Sequence, residues 1–115
     1  MKTSNFSTLR KIEYPLSISQ YAPFWYSGPQ FRQLAPKPDL LEAYKAGKVT
    51  PEEYTLDYQK RVLNRFDPVE VYERLTRYYT GEVVLLCYEK AGEFCHRRLV
   101  AEWLETANGV VIPEL

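Results

Sequence analysis

The stretch VVLLCYEKAGEFCHRRLVAEWLE, residues 83–105, decides how the rest of the chain is read. It opens with four apolar residues and no polar alternation. That pattern belongs to a strand buried on both faces, as in a parallel sheet covered by helices. After a loop containing Gly92, CHRRLVAEWLETANG begins a helix at Cys95. Leu99, Val100, Trp103 and Leu104 form its inner face, and Asn108–Gly109 is its stop. VVIP, residues 110–113, then reads as a last short strand near an edge, because proline cannot donate to a ladder. Strand, helix and strand predict one right-handed βαβ unit.

Upstream lie three helical signatures. DPVEVYERLTRYYTG has Asp67 as cap, Pro68 in the first turn and an inward stripe of Val71, Leu75 and Tyr78. TPEEYTLDYQKRVLNRF starts with Thr50 as cap, Pro51 next and Glu53 completing a capping box, with Tyr54 and Tyr58 on one face. DLLEAYKAG is a shorter helix ending at Gly47. Residues 22–38 carry Pro23, Pro29, Pro36 and Pro38 among Phe24, Trp25, Tyr26 and Phe31. Such a stretch is neither helix nor central strand, and it is too aromatic for a disordered linker. It reads as an ordered loop lying over the domain, with Arg32 and Lys37 as its charges. Leu16 to Ser19 read as a first strand, with Ser17 and Ser19 on the face opposite Leu16 and Ile18. Residues 1–11, polar and aperiodic, read as a flexible arm, and 12–115 as a single α/β domain. The expected fold is α/β: a small parallel sheet of about three strands with covering helices, in the order β-ααα-β-α-β.

The bulk composition narrows the function classes. Fifteen Lys/Arg balance fifteen Asp/Glu, so no overall charge favours nucleic acid or a membrane surface. A local patch for nucleic acid stays possible, and aromatics at 15% supply rings that pack or stack. No apolar run is long enough to span a membrane, and MKTSNFSTLRKIEYPL has no apolar signal core. A cytoplasmic location follows as an expectation, and there Cys87 and Cys95 are read as thiols.

Fold rules gather the reactive residues. Ligands of open α/β sheets collect at the carboxyl ends of the strands. Cys87 and Glu89 stand at such an end, and Cys95, His96 and Arg97 at the start of the next helix. Ser17 or Ser19 adds lining from the first strand, and Tyr54 and Tyr58 would orient a substrate. A helix N-terminus and an arginine together attract a phosphate or carboxylate. The preferred reading is therefore an anion site, phosphate or nucleotide-like. Arg97 binds, and Glu89, His96 and Cys95 are the candidate catalytic residues. Three other readings stand beside it. The first is a metal site, disfavoured because adjacent Cys and His turn poorly to one ion within a helix. The second is a Cys87–Cys95 disulfide, disfavoured in a reducing compartment. The third is a packed corner in which Glu89 pairs with Arg97 or Arg98. No cofactor is implied. The expected partner is a small anionic ligand, and the oligomeric state is open. The alternative function is a non-catalytic module binding a nucleotide, nucleic acid or protein through loop 22–38.

The same residues carry a family resemblance. LLCYEKAGEFCHRRLVAEWL resembles the signature of the domain of unknown function 488 family: an apolar strand, Cys-x-Glu, a loop, then Cys-His-Arg and an apolar helix. Cys87, Glu89, Cys95, His96 and Arg97 match it, and the helix bearing Tyr54 and Tyr58 is similar to a paired-tyrosine helix upstream. Short forms of this kind are similar to proteins of bacteria and bacteriophages. The resemblance implies an α/β fold and no settled activity. Family members commonly carry a DVR-like strand end where this chain reads SISQ, residues 17–20, so no arginine role carries over to that strand.

Overall fold

The computed structural model describes residues 1–89 and 92–115; Lys90 and Ala91, within the loop expected after Cys87, lie outside the described residues. Three parallel strands form the sheet: β1 (Lys2–Asn5), β2 (Pro15–Ser17) and β3 (Val84–Cys87), in the order β1-β3-β2. Among the described residues four α-helices accompany it: α1 (Pro38–Lys45), α2 (Pro51–Arg61), α3 (Pro68–Thr76) and α4 (His96–Asn108). No helix among the described residues is long and apolar enough to cross a membrane.

The apolar run at 83–87 is the central strand because both of its faces are covered. Leu85 points into the larger core with Leu16, Ile18, Tyr58, Leu75 and Leu104. Val84 and Leu86 point the other way, against Phe6 and Tyr26. Phe6 belongs to a 3₁₀ turn at Phe6–Lys11, and Tyr26 to the proline-rich stretch, where its hydroxyl donates to the Pro29 carbonyl at 2.7 Å. The 22–38 segment thus buries Tyr26, Phe31, Leu34 and Ala35 while leaving Phe24 and Trp25 exposed.

The helix ends follow the sequence signals. Thr50 and Glu53 make the reciprocal capping box, Asp67 accepts from Val69 N–H, and Gly109 closes α4 in the left-handed conformation at φ 63°. Val71 and Leu75 face inward as expected, but Tyr78 lies beyond α3 and is exposed.

Two expectations about the ends of the chain are corrected. Residues 2–5 are not an arm but the strand β1, with Thr3 opposite Leu85. Its polar side chains are buried because each finds a partner: Thr3 with Glu114 and Arg98, Ser4 with Thr8, and Asn5 with Ser7. Residues 110–113 form no strand. The tail instead makes one parallel bridge, with Thr3 N–H donating to the Pro113 carbonyl at 3.0 Å and Leu115 N–H to the Thr3 carbonyl at 2.7 Å. The expected βαβ unit through residue 113 is therefore replaced by pairing of β3 with the two N-terminal strands. β2 also stops at Ser17, and Ser17 and Ser19 are as buried as Leu16 and Ile18, because loop residue Gln30 bridges to Ser17.

The strand at the N-terminus gives a direct test. Thr3→Pro removes the N–H that bonds the Pro113 carbonyl and so breaks the bridge between β1 and the tail. Urea unfolding should show a loss of about 2 kcal/mol or more. A loose arm would register no change.

Candidate functional site

A cavity of about 350 Å³ opens at the carboxyl ends of β2 and β3, where α4 begins. Ser19 enters it just past β2, Cys87 and Glu89 at and past the end of β3, and Cys95 and His96 at the start of α4. Tyr44 and Lys45 of α1, Tyr54 of α2 and Phe94 also line its wall. The rings of Tyr54 and Phe94 meet edge to face at 5.0 Å, and those of Tyr44 and Tyr54 at 5.2 Å.

His96 is held in one tautomer. Its Nε2 lies 2.8 Å from the Ile18 carbonyl, which only accepts, so Nε2 carries the hydrogen. Nδ1 is left with a lone pair, 3.8 Å from Cys95 Sγ. Burial, with the nearby Arg97 charge against the helping Ile18 bond, pushes the His96 pKa down to about 4, so the ring is neutral near pH 7. Cys95 is the residue capping α4, with extended backbone at φ −152° and ψ 144°. It stands outside the helix, which lets its side chain and that of His96 turn to one side.

Cys87 and Cys95 are joined sulfur to sulfur, with their Cα atoms 7.5 Å apart. This corrects the expectation of two thiols: the strand end and the helix cap bring the two side chains into one pocket. A bonded sulfur is not a nucleophile, so thiolate chemistry at Cys95 belongs to the dithiol form. The positive neighbour is also on the other sulfur, since Arg97 Nη1 lies 3.0 Å from Cys87 Sγ.

Arg97 does not line the cavity. It is 1% exposed and its donors are engaged. Nη2 bonds the Glu114 carboxylate at 2.6 Å, Nε bonds it at 3.1 and 3.2 Å, and Nη1 donates to the Glu89 carbonyl at 2.6 Å. Glu89 thus meets Arg97 through its backbone, and its side-chain Oε2 lies 3.5 Å from Cys87 Sγ.

The tyrosine pair divides. Tyr54 lines the cavity, and burial, then the Glu89 and Tyr44 charges, raises its hydroxyl pKa. Tyr58 is wholly buried behind it, donating to the Leu34 carbonyl with its ring 5.7 Å from His96. The serines divide too. Ser17 Oγ accepts from Ser19 N–H at 3.3 Å, whereas Ser19 Oγ, in a residue 4% exposed, has no hydrogen-bond partner among the described residues. Glu114, Lys45 and Tyr44 were missed as site-forming residues. Phe94 was within reach, since it immediately precedes Cys95.

This arrangement defines a small α/β protein with a strand-end site. Over residues 17–108 the chain matches the family model described as the Active DUF488-N3 subclade, and it belongs to the DUF488 family. No curated protein and no solved structure matches it.

The Arg97–Glu114 pair sets an acid limit on stability. Burial alone would raise the Glu114 pKa, but bonds from Arg97 and Thr3 and the charges of Arg97 and Arg98 hold it below its usual 4.5. A depressed carboxyl stabilises the fold fully above the unfolded value and loses that contribution as pH falls through the folded one. Glu114→Gln should cost about 3 kcal/mol at pH 7, because it leaves a buried cation unpaired. Its unfolding free energy should also fall less steeply than wild type below about pH 4.5 in urea titrations.

Proposed function

We propose that this chain binds a small ring-bearing molecule with one anionic group, of the phosphate or nucleotide-like class, and acts on it with Glu89 and His96 as proton-handling groups. The observation that carries the reading is Ser19. A buried hydroxyl without a partner costs roughly 1–3 kcal/mol, and this one lies on the cavity wall. A ligand oxygen there removes the cost. Tyr44, Tyr54 and Phe94 supply faces and edges for a ring. Lys45 and the N-terminus of α4 supply positive potential for the anionic end. The anion-binding role expected of Arg97 passes to these groups, since Arg97 is bound to Glu114.

His96 Nδ1 is a lone-pair base, and Glu89 brings a carboxylate to the same wall. Cys95 joins them only as a thiol.

A second reading rests on the rim. Phe24 is 98% exposed, and Trp25, Tyr21 and Tyr88 are exposed as well. Tyr21 and Tyr88 also border the cavity. Exposed rings suit stacking on the bases of a single strand.

Calorimetry with mononucleotides, sugar phosphates and inorganic phosphate tests the proposal. Ser19→Ala should weaken the best ligand about tenfold, the equivalent of 1.4 kcal/mol, and Lys45→Ala should weaken anionic ligands selectively. Phe24→Ala should leave the affinity unchanged. Absence of any binding, or a Ser19→Ala variant that binds like wild type, overturns the reading. Tight binding of short single strands that Phe24→Ala abolishes would favour the second.

A further inference from the structure

Cys87 Sγ, Cys95 Sγ and His96 Nδ1 or Nε2 lie within 4.8 Å of one another, and all three residues are buried. They are a donor set of two thiolates and an imidazole, the combination that soft and borderline divalent ions prefer. Four features of the surroundings favour an ion over a plain sulfur bridge.

The first is the backbone. The Cα atoms of Cys87 and Cys95 are 7.5 Å apart, whereas disulfides usually span roughly 4.4–6.8 Å. Two thiolates on one tetrahedral zinc-class ion stand about 3.8 Å apart, from metal–sulfur bonds of about 2.3 Å. The wider backbone accommodates that separation. The second is His96. Its Nε2–H is fixed on the Ile18 carbonyl, the backbone partner that metal-binding histidines commonly have, and its Nδ1 is already 3.8 Å from Cys95 Sγ. The third is the extended backbone of Cys95, which frees neighbouring Cys and His from the helical geometry that would point them apart. The fourth is Arg97, whose N–H reaches Cys87 Sγ at 3.0 Å and favours the thiolate.

We propose that, in the dithiol form, Cys87, Cys95 and His96 hold one divalent ion of the zinc class, with its fourth position open to the cavity that Ser19 and Glu89 line. The site forms in two balanced steps. An external dithiol reduces the Cys87–Cys95 bond, giving two electrons and two protons and becoming a disulfide itself. The ion then displaces the two thiol protons. Three protein donors with one open position is the layout of a catalytic rather than a structural site. The inference rests on the donor geometry and stands whether or not the cavity takes a nucleotide-like ligand; with the ion bound, His96 Nδ1 is its donor, and the proton-handling role falls to Glu89 alone.

Cobalt(II) is the probe, added anaerobically to protein reduced with a dithiol and then freed of it. Wild type should bind one ion per chain, with thiolate-to-cobalt charge transfer in the near ultraviolet and the intense visible bands of tetrahedral cobalt. Zinc should displace it and bleach both. His96→Gln should weaken cobalt at least tenfold, and the exposed Phe24→Ala should leave the bands in place. The oxidised protein should bind none. Because cysteine variants can disturb the fold, zinc protection of both thiols against alkylation in wild type serves as a second readout. Reduced protein with native circular dichroism but no charge-transfer band overturns the proposal. So does His96→Gln binding as tightly as wild type, or alkylation that zinc does not slow.

Discussion

One buried cation organises the carboxyl end of the sheet. The Arg97 guanidinium is 1% exposed, and stripping a charge of water costs several kcal/mol unless it is fully partnered. Here the partners come from three directions: the tail through Glu114, the loop after β3 through the Glu89 carbonyl, and the strand itself through Cys87. Arg98, one residue on, adds bonds to Thr3 and to the Ile112 carbonyl. Two adjacent arginines at the start of α4 therefore position β1, β3 and the tail relative to one helix. The cavity wall inherits that rigidity.

The opposite side of the helix start is organised by a neutral group. His96 bonds the Ile18 carbonyl, just beyond β2, and packs against Tyr58. A charged imidazole beside Arg97 would be unfavourable, and burial keeps it uncharged. Residues 95, 96 and 97 thus have separate duties: a sulfur turned to the pocket, a ring that fixes β2, and a charge that fixes the tail. Of the cluster that looks like three reactive groups in sequence, Arg97 is scaffold outright and His96 both holds β2 and faces the cavity.

How legible this was depended on range. The double burial of β3 was readable because four apolar residues in a row have few other homes in an α/β chain. The caps at Thr50, Asp67 and Gly109 were readable because their partners sit within four residues. β1 was not, since Lys2–Asn5 is polar and its burial depends on Glu114 and Arg98, about a hundred residues away. The tail misled in the opposite sense: VVIP has strand composition, yet Val111 is 81% exposed and only a single bridge forms. The site followed the same rule. Strand-end logic gathered Cys87, Glu89, Cys95 and His96, and all four line one cavity. It could not tell Ser19 from Ser17, because a two-residue period gives both the same face and only the bridge to Gln30 separates their surroundings. Nor could it see that Arg97 had a carboxylate seventeen residues on.

The strand order carries a consequence for the time course of folding. β1 and β2 are made first, yet neither pairs with the other; the strand each pairs with is β3, at residues 84–87. No hydrogen bond between these three strands can form until residues 84–87 have been made. During synthesis the helices α1 to α3, with their local caps, can gather early, while the two N-terminal segments wait as unpaired edges. Sheet formation is then a late closure over long sequence separations, the kind of step that slows folding and leaves nascent chains exposed. The ribosome delivers the sheet's keystone long after the two strands it joins, and the residues that follow it within about thirty positions, Arg97, Arg98 and Glu114, lock it in place.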